Sequence, residues 1–96
     1  MRAIREARGW SQERVGVAIG IDESSSRARI SRYELGVHEP PLATAKLIAE
    51  ALGVPLMYLY CEDDTLAALL IALHRLDSSK RESVIQQCLA SVITLD

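Results

Sequence analysis

Residues 11–36 read SQERVGVAIGIDESSSRARISRYELG and contain two short helical patterns separated by Gly20. The first pattern follows Ser11, a residue type that commonly caps the N-terminus of a helix. Its apolar residues recur at the three- and four-residue spacing of one helix face. The second pattern ends at Gly36, a residue type common after a helix C-terminus, and has Ile30 and Tyr33 inward. This stretch therefore predicts two helices joined by a turn. The candidate caps of the later helix in this stretch, the third helix of the chain, are Asp22, Ser24, Ser25 and Ser26.

The rest of the chain also has helical patterns, and it lacks the sustained alternation that is typical of strands. Glycine and proline separate the patterns. We therefore predict an all-α protein with five helices in a first domain, residues 1–61, and a two-helix extension in residues 62–96. The remaining helices are predicted over residues 2–8, 42–52, 54–60, 66–76 and 81–95.

The composition is that of a small folded protein. The 96 residues are 49% hydrophobic and 25% charged, which is ordinary for a globular chain and argues against bulk disorder. No apolar run approaches the roughly 20 residues of a membrane span, and the first ten residues lack the apolar region of a secretory signal. Cys61 and Cys88 have neither metal-ligand neighbours nor a redox spacing, so we expect reduced thiols in a cytoplasmic protein.

Charge is spread unevenly along the chain. The formal net charge is −2, but residues 1–38 carry seven basic and five acidic side chains, whereas residues 39–96 carry four basic and eight acidic ones. The first segment is therefore +2 and the second −4. Because a polyanion responds to a local patch rather than to the total charge, the N-terminal segment is compatible with a nucleic-acid partner.

Two stretches, REARGWSQERVGVAIGI (5–21) and RISRYELGVHEPPLATAKLIAEALGVPLMYLY (29–60), carry a family resemblance. The joint order of GWSQ, ISRYELG, a proline and ALGV resembles the lambda-repressor-like helix-turn-helix domain of Cro and the xenobiotic-response-element class of bacterial and phage regulators. The resemblance implies a sequence-specific transcriptional regulator that binds double-stranded DNA at the nucleoid. One departure is an insertion of about four residues before Ile30, which lengthens either the turn or the N-terminus of the third helix.

The resemblance also implies which residues contact DNA. The second helix of the motif lies in the major groove with its N-terminal half toward the base edges. Aligned from Ile30, the candidates for groove contact are Arg27, Ala28, Ser31 and Arg32, with Ser26 at the cap near a phosphate. Arg29 points sideways, toward a phosphate or an intramolecular carboxylate. The plainer alternative is a solvated helix that happens to be rich in arginine.

Two further sites follow from the same resemblance. Ser11 and Gln12, at the start of the second helix, would face the phosphate backbone. Ser11 can equally be an ordinary N-cap, and Gln12 a solvated first-turn residue. Arg5 and Glu34 correspond to a pair that the family often joins by a salt bridge, so we predict that Glu34 ties the first helix to the end of the third.

The two C-terminal helices each carry an apolar stripe with three- and four-residue spacing. A two-helix hairpin is too small to cover both stripes, so the extra surface packs either on the first domain or on a second chain. We predict a homodimer, which suits a near-palindromic operator; completion of the monomer's own core is the alternative. The predicted dimer contacts are Leu66, Leu69, Leu73, Ile85, Leu89 and Val92.

Other functional classes have weaker support in the sequence. Neither His38 nor His74 has a motif that places it beside a nucleophile, and CEDD (61–64) lacks the spacing that converges ligands on a metal ion. The sequence therefore predicts no enzyme, metal or cofactor. The serious alternative is a protein-binding adaptor or antitoxin-like module that uses the same fold.

Overall fold

The computed structural model describes residues 1–95, and every regular element in that range is helical. This confirms the all-α prediction. The chain divides into two compact units, Met1–Tyr60 and a second unit that starts at Cys61. The first unit contains α1 (Arg2–Ala7), α2 (Gln12–Ala18), α3 (Glu23–Glu34), α4 (Leu42–Leu52) and a 3₁₀ helix (Leu56–Tyr60). The second contains α5 (Asp64–His74) and α6 (Ser78–Ile93).

The fifth helical segment is a 3₁₀ helix rather than an α-helix. Only five residues lie between Pro55 and the acidic break, and the amide of Tyr58 donates to the carbonyl of Pro55 at 3.0 Å, the three-residue step of this helix type. The segment is thus a short, tight helix at the end of the first unit.

The core of the first unit is built mainly by α4. Its apolar residues recur at three- and four-residue spacing, so they form one buried face against the other helices. The same apolar spacing also predicts inward positions for Ala18, the last residue of α2, and Leu42, the first of α4, but both are exposed at the ends of their helices. The buried hydrophobic residues are Ile4, Val15, Ile30, Ala45, Ile48, Ala49, Leu52 and Val54.

Helices α2 and α3 meet almost backbone to backbone. A Cβ atom placed on Gly16 would lie 2.4 Å from the Cβ of Ser26 and 2.8 Å from its Cα, so no side chain fits between them. Ser26 is fully buried, and its hydroxyl group lies 2.9 Å from the carbonyl oxygen of Asp22 and 3.1 Å from that of Ile21. This contact fixes the turn between the two helices.

The insertion lengthens α3 rather than the turn. Asp22 is the N-cap, with its carboxylate accepting a hydrogen bond from the amide of Ser24 at 3.3 Å, and α3 then runs for 12 residues. Gly20 takes a positive φ of 91° at the end of α2, a conformation that side chains disfavour. The extra residues therefore form an additional N-terminal turn of the helix that follows.

The second unit is a pair of helices with its own capping. Asp63 accepts from the amide of Leu66, and Asp77 accepts from the amide of Lys80, both at 2.9 Å. Arg81 on α6 donates to three carbonyl groups at the end of α5 and just after it. The three acceptors are the carbonyl oxygens of Leu73 (2.9 Å), Leu76 (2.9 Å) and His74 (3.2 Å). No residue from 61 to 95 is fully buried within this unit.

Candidate nucleic-acid interface

A buried ion pair links α1 to the end of α3. Arg5 Nε donates to Glu34 Oε2 at 2.7 Å, and Arg5 Nη2 donates to Glu34 Oε1 at 3.1 Å, so the pair is bidentate. The two side chains are only 10% and 3% exposed. Arg5 also donates to the carbonyl of Trp10 at 2.8 Å, and Gln12 Nε2 donates to Glu34 Oε1 at 2.9 Å. The network therefore joins α1, the start of α2 and α3.

The carboxylate of Glu34 is ionised in this setting. Burial raises its pKa, but the hydrogen bonds from Arg5 and Gln12, together with the positive charge of Arg5, outweigh burial and hold the pKa below its ordinary value. The hydrogen bond to Glu34 likewise raises the pKa of Arg5. Both groups are therefore charged across the physiological pH range, and each neutralises the other.

The face of α3 opposite the buried Ser26 and Ile30 consists of small residues. Ala28 is exposed and Ser31 is half-exposed, and they lie one turn apart on this outer face. Arg27 and Arg32 are exposed on its two sides. Small residues leave room for another molecule to approach the helix, and the two guanidinium groups can reach past them.

Arg27 lies in an open cleft of about 570 Å³, which we call the first cleft. The cleft brings together four residues that the sequence predicted as DNA contacts: Ser11, Gln12, Arg27 and Ser31. The Arg5–Glu34 pair also lines it. The remaining lining residues are Arg2, Glu13 and Leu35.

Arg32 lies in a different cleft, of about 220 Å³, which we call the second cleft. Arg29 lines it too, and its Nη2 donates to the hydroxyl of Tyr33 at 3.3 Å, rather than to a carboxylate. The other lining residues are His38, Glu39 and Pro41. The two clefts thus bracket the outer face of α3, with one predicted base-contacting arginine in each.

Each cleft carries a positive charge in excess of its carboxylates. Among the residues that line the first cleft, Arg5 and Glu34 neutralise each other, which leaves Arg2 and Arg27 against Glu13. Glu6, which pairs with Arg2 at 3.0 Å, lies outside this lining. In the second, Arg29 and Arg32 face Glu39. Although the whole chain is negative, the surface around α3 is therefore locally positive on both sides, which favours an anionic ligand there.

The prediction that Ser26 contacts a phosphate is wrong. Ser26 is fully buried and its hydroxyl group is bonded to the turn carbonyls, because the longer α3 places this residue inside the helix rather than at its cap. Ser11 is the N-cap of α2 and accepts from the amide of Arg14 at 3.0 Å. Its hydroxyl group still lines the first cleft, so a phosphate contact stays a prediction.

The sequence analysis did not predict that Arg2 lines the first cleft or that Gly16 contacts Ser26. The signal available for Arg2 was its position one turn before Arg5 on the same helix.

The six predicted dimer residues lie in the second unit without full burial. Leu66, Leu69, Leu89 and Val92 are between 44% and 62% exposed, while Leu73 and Ile85 are half-buried.

Within residues 1–95, no three His, Cys, Asp or Glu side chains come together as a metal site would require. None of the helices in that range has the length and apolar character needed to cross a membrane.

Comparison with known proteins agrees with this geometry. The family model described as helix-turn-helix matches residues 1–59, from the start of α1 into the 3₁₀ helix. The chain belongs to the lambda-repressor-like helix-turn-helix family. In this family's terms, α2 and α3 are the two helices of the motif.

A solved structure is similar to this helix-turn-helix protein over nearly the whole length of both chains. The crystal structure of the transcriptional regulator BswR shares 36% sequence identity and has a TM-score of 0.82. The similarity covers 94% of this chain and 92% of that one. No curated protein matches the sequence.

Proposed function

We propose that this helix-turn-helix protein is a non-enzymatic, sequence-specific regulator of transcription that binds double-stranded DNA at the nucleoid, with α3 in the major groove. The observation that carries the proposal is the outer face of α3: small residues between Arg27 and Arg32, with a positively charged cleft on each side. Family membership and the similarity to a transcriptional regulator support it.

The chemistry of α3 suits base recognition. The major groove is about 12 Å wide and admits an α-helix. Ala28 allows close approach, and the planar guanidinium groups of Arg27 and Arg32 match the O6 and N7 acceptors of guanine in a bidentate pair. Ser31 can exchange hydrogen bonds with a base edge, while the side chains of Ser11 and Gln12 would face the backbone of one strand.

The second unit supports a proposal of homodimerisation. Neither residues 65–73 of α5 nor residues 83–95 of α6 and its end carry a charged side chain. Leu66, Leu69, Leu89 and Val92 are nevertheless substantially exposed. Apolar surface without charge is typical of the core of a homodimer interface, and a second copy would cover it without placing like charges together. Such a dimer would read a near-palindromic operator with half-sites about 34 Å apart.

Binding-site selection from a random-sequence duplex library tests the proposal. We expect the wild-type protein to select a defined sequence and to lose affinity log-linearly with increasing salt, because phosphate contacts release cations. Arg32→Ala should relax the preference at one position and weaken binding to the selected duplex by about 5- to 150-fold, the equivalent of one bidentate guanine contact. Arg75→Ala, an exposed arginine of the second unit, is the control and should leave base preference unchanged.

Two results would contradict these proposals. If the protein binds no duplex even at low salt, DNA recognition fails, and the adaptor or antitoxin-like function, which would use the exposed apolar face of the second unit, becomes the better explanation. If analytical ultracentrifugation shows a monomer at tens of micromolar, homodimerisation fails while DNA binding stays testable.

A further inference from the structure

Arg2 belongs to the wall of the first cleft, although it lies on α1 and outside the helix-turn-helix motif itself. Ser11, Gln12, Arg27 and Ser31, all proposed to contact DNA, line the same cleft. The Arg2 side chain is 71% exposed and takes no part in the buried network around Glu34. It is therefore a solvated cation beside the proposed interface.

The hydrogen bond that Arg2 makes leaves most of its donors available. Its Nε donates to Oε1 of Glu6, one turn along α1, at 3.0 Å. A guanidinium group has five N–H donors, and this bond uses one of them. An exposed ion pair four residues apart holds its partners weakly. The terminal nitrogens of Arg2 can therefore bind an anion while Glu6 stays in place.

Arg2 also determines the charge of the first cleft. Arg5 is neutralised by Glu34, so the remaining charges are those of Arg2, Arg27 and Glu13. Without Arg2, the first cleft would carry no excess charge. The second cleft would keep its excess from Arg29 and Arg32. Glu6, which pairs with Arg2, is not among the lining residues. On the α1 side of the lining, Arg2 is the positively charged side chain outside the buried Arg5–Glu34 pair, so it is the group there that can attract a phosphate strand.

We infer that Arg2 binds a phosphodiester group of the DNA backbone, so that α1 forms part of the interface and holds one strand beside α3. This inference rests on the proposed function and adds a contact to it. A contact with the backbone positions the protein without reading sequence. Arg2 should therefore change affinity and its salt dependence, while base preference stays as it is.

The test compares Arg2→Ala with Arg8→Ala, using a duplex that the wild-type protein selects from a random library. Arg8 also lies at the exposed end of the α1 segment, but its guanidinium group lies beside Gly53 at the end of α4 and lines neither described cleft. Both variants remove one positive charge, and both are first checked for wild-type helicity by circular dichroism. Binding is then measured by fluorescence anisotropy over a range of potassium chloride concentrations.

We expect Arg2→Ala to make the plot of log affinity against log salt shallower by about 0.9, the loss of one phosphate contact. Its binding defect should then shrink by about 3- to 4-fold between roughly 50 and 200 mM salt. Arg8→Ala should keep the wild-type slope. Equal slopes for the wild type and Arg2→Ala overturn the inference, and so does an equal change in both variants, which would indicate a general charge effect. Failure of the wild-type protein to select any duplex would instead refute the proposed function.

Discussion

Replacing Glu34 by alanine should destabilise the protein far more than replacing Arg32. Glu34→Ala leaves the guanidinium of Arg5 buried without its carboxylate partner, and it also removes the acceptor of Gln12. Loss of one partner from a buried ion pair costs about 3–5 kcal/mol. For a domain of this size, each kcal/mol lowers Tm by about 4–8 °C, so a fall of at least about 12 °C is expected. Arg32 is exposed, and its loss should cost no more than about 0.5 kcal/mol.

Thermal unfolding followed by circular dichroism measures this difference directly. Glu34→Gln serves as an intermediate variant, because it keeps an acceptor for Gln12 and the shape of the side chain while it removes the charge. Its Tm should lie between those of the wild type and Glu34→Ala, which keeps the comparison informative if the alanine variant does not fold. Equal melting temperatures for Glu34→Ala and Arg32→Ala would show that the Arg5–Glu34 pair does not stabilise the fold.

The Glu34 carboxylate, the Arg81 guanidinium group and the contact between Gly16 and Ser26 each support one further prediction. The folded-state pKa of Glu34 is lowered, so the stability that its carboxylate contributes is complete above the ordinary value of 4.5 and is lost as the pH falls further. The difference in urea-unfolding free energy between the wild type and Glu34→Gln should therefore narrow below pH 4.5. A difference that stays constant with pH would contradict this prediction. Arg81→Ala removes the donor to three carbonyl groups at the end of α5 and should lower the stability of the helix pair by roughly 1–3 kcal/mol. Amide hydrogen exchange in α5 and α6 should then be faster. Lys80→Ala, at the neighbouring exposed residue, is the control and should leave the exchange rates nearly unchanged. Gly16→Ala places a Cβ 2.4 Å from that of Ser26, so α2 and α3 must separate, which should lower the stability by about 1–3 kcal/mol. An unchanged Tm would show that the two helices can separate without loss of stability.

The fold could be predicted because local signals agreed with one another. The stripe of α4, the glycines after α2 and α3, and the cap at Ser11 all indicated helices of the observed type. The start of α3 was harder to predict because Asp22 and the three serines after it are all good N-caps. The helix begins after Asp22, four residues before Ser26, so Ser26, the expected cap, is a buried residue inside the helix.

What the sequence did not indicate depends on pairs of residues distant in the chain. A serine inside a helix is usually solvated, and Ser26 is buried only because Gly16 on α2 leaves space opposite it. The three carbonyl contacts of Arg81 depend on the angle between α5 and α6. The clefts likewise arise only when α1, α2 and α3 pack together. The periodicity of apolar residues along one helix does not predict contacts between residues on different helices.

Placing Arg27 and Arg32 in separate clefts has an evolutionary consequence. A step of five residues along the helix places their Cα atoms about 7.5 Å apart along the axis, a distance at which the effects of two substitutions usually add. If each arginine contacts its own base, as proposed, a lineage could replace one arginine and acquire a new preference at one operator position while the other position keeps its own. Regulators built this way can diverge stepwise after gene duplication, without an intermediate that has lost all affinity for its target.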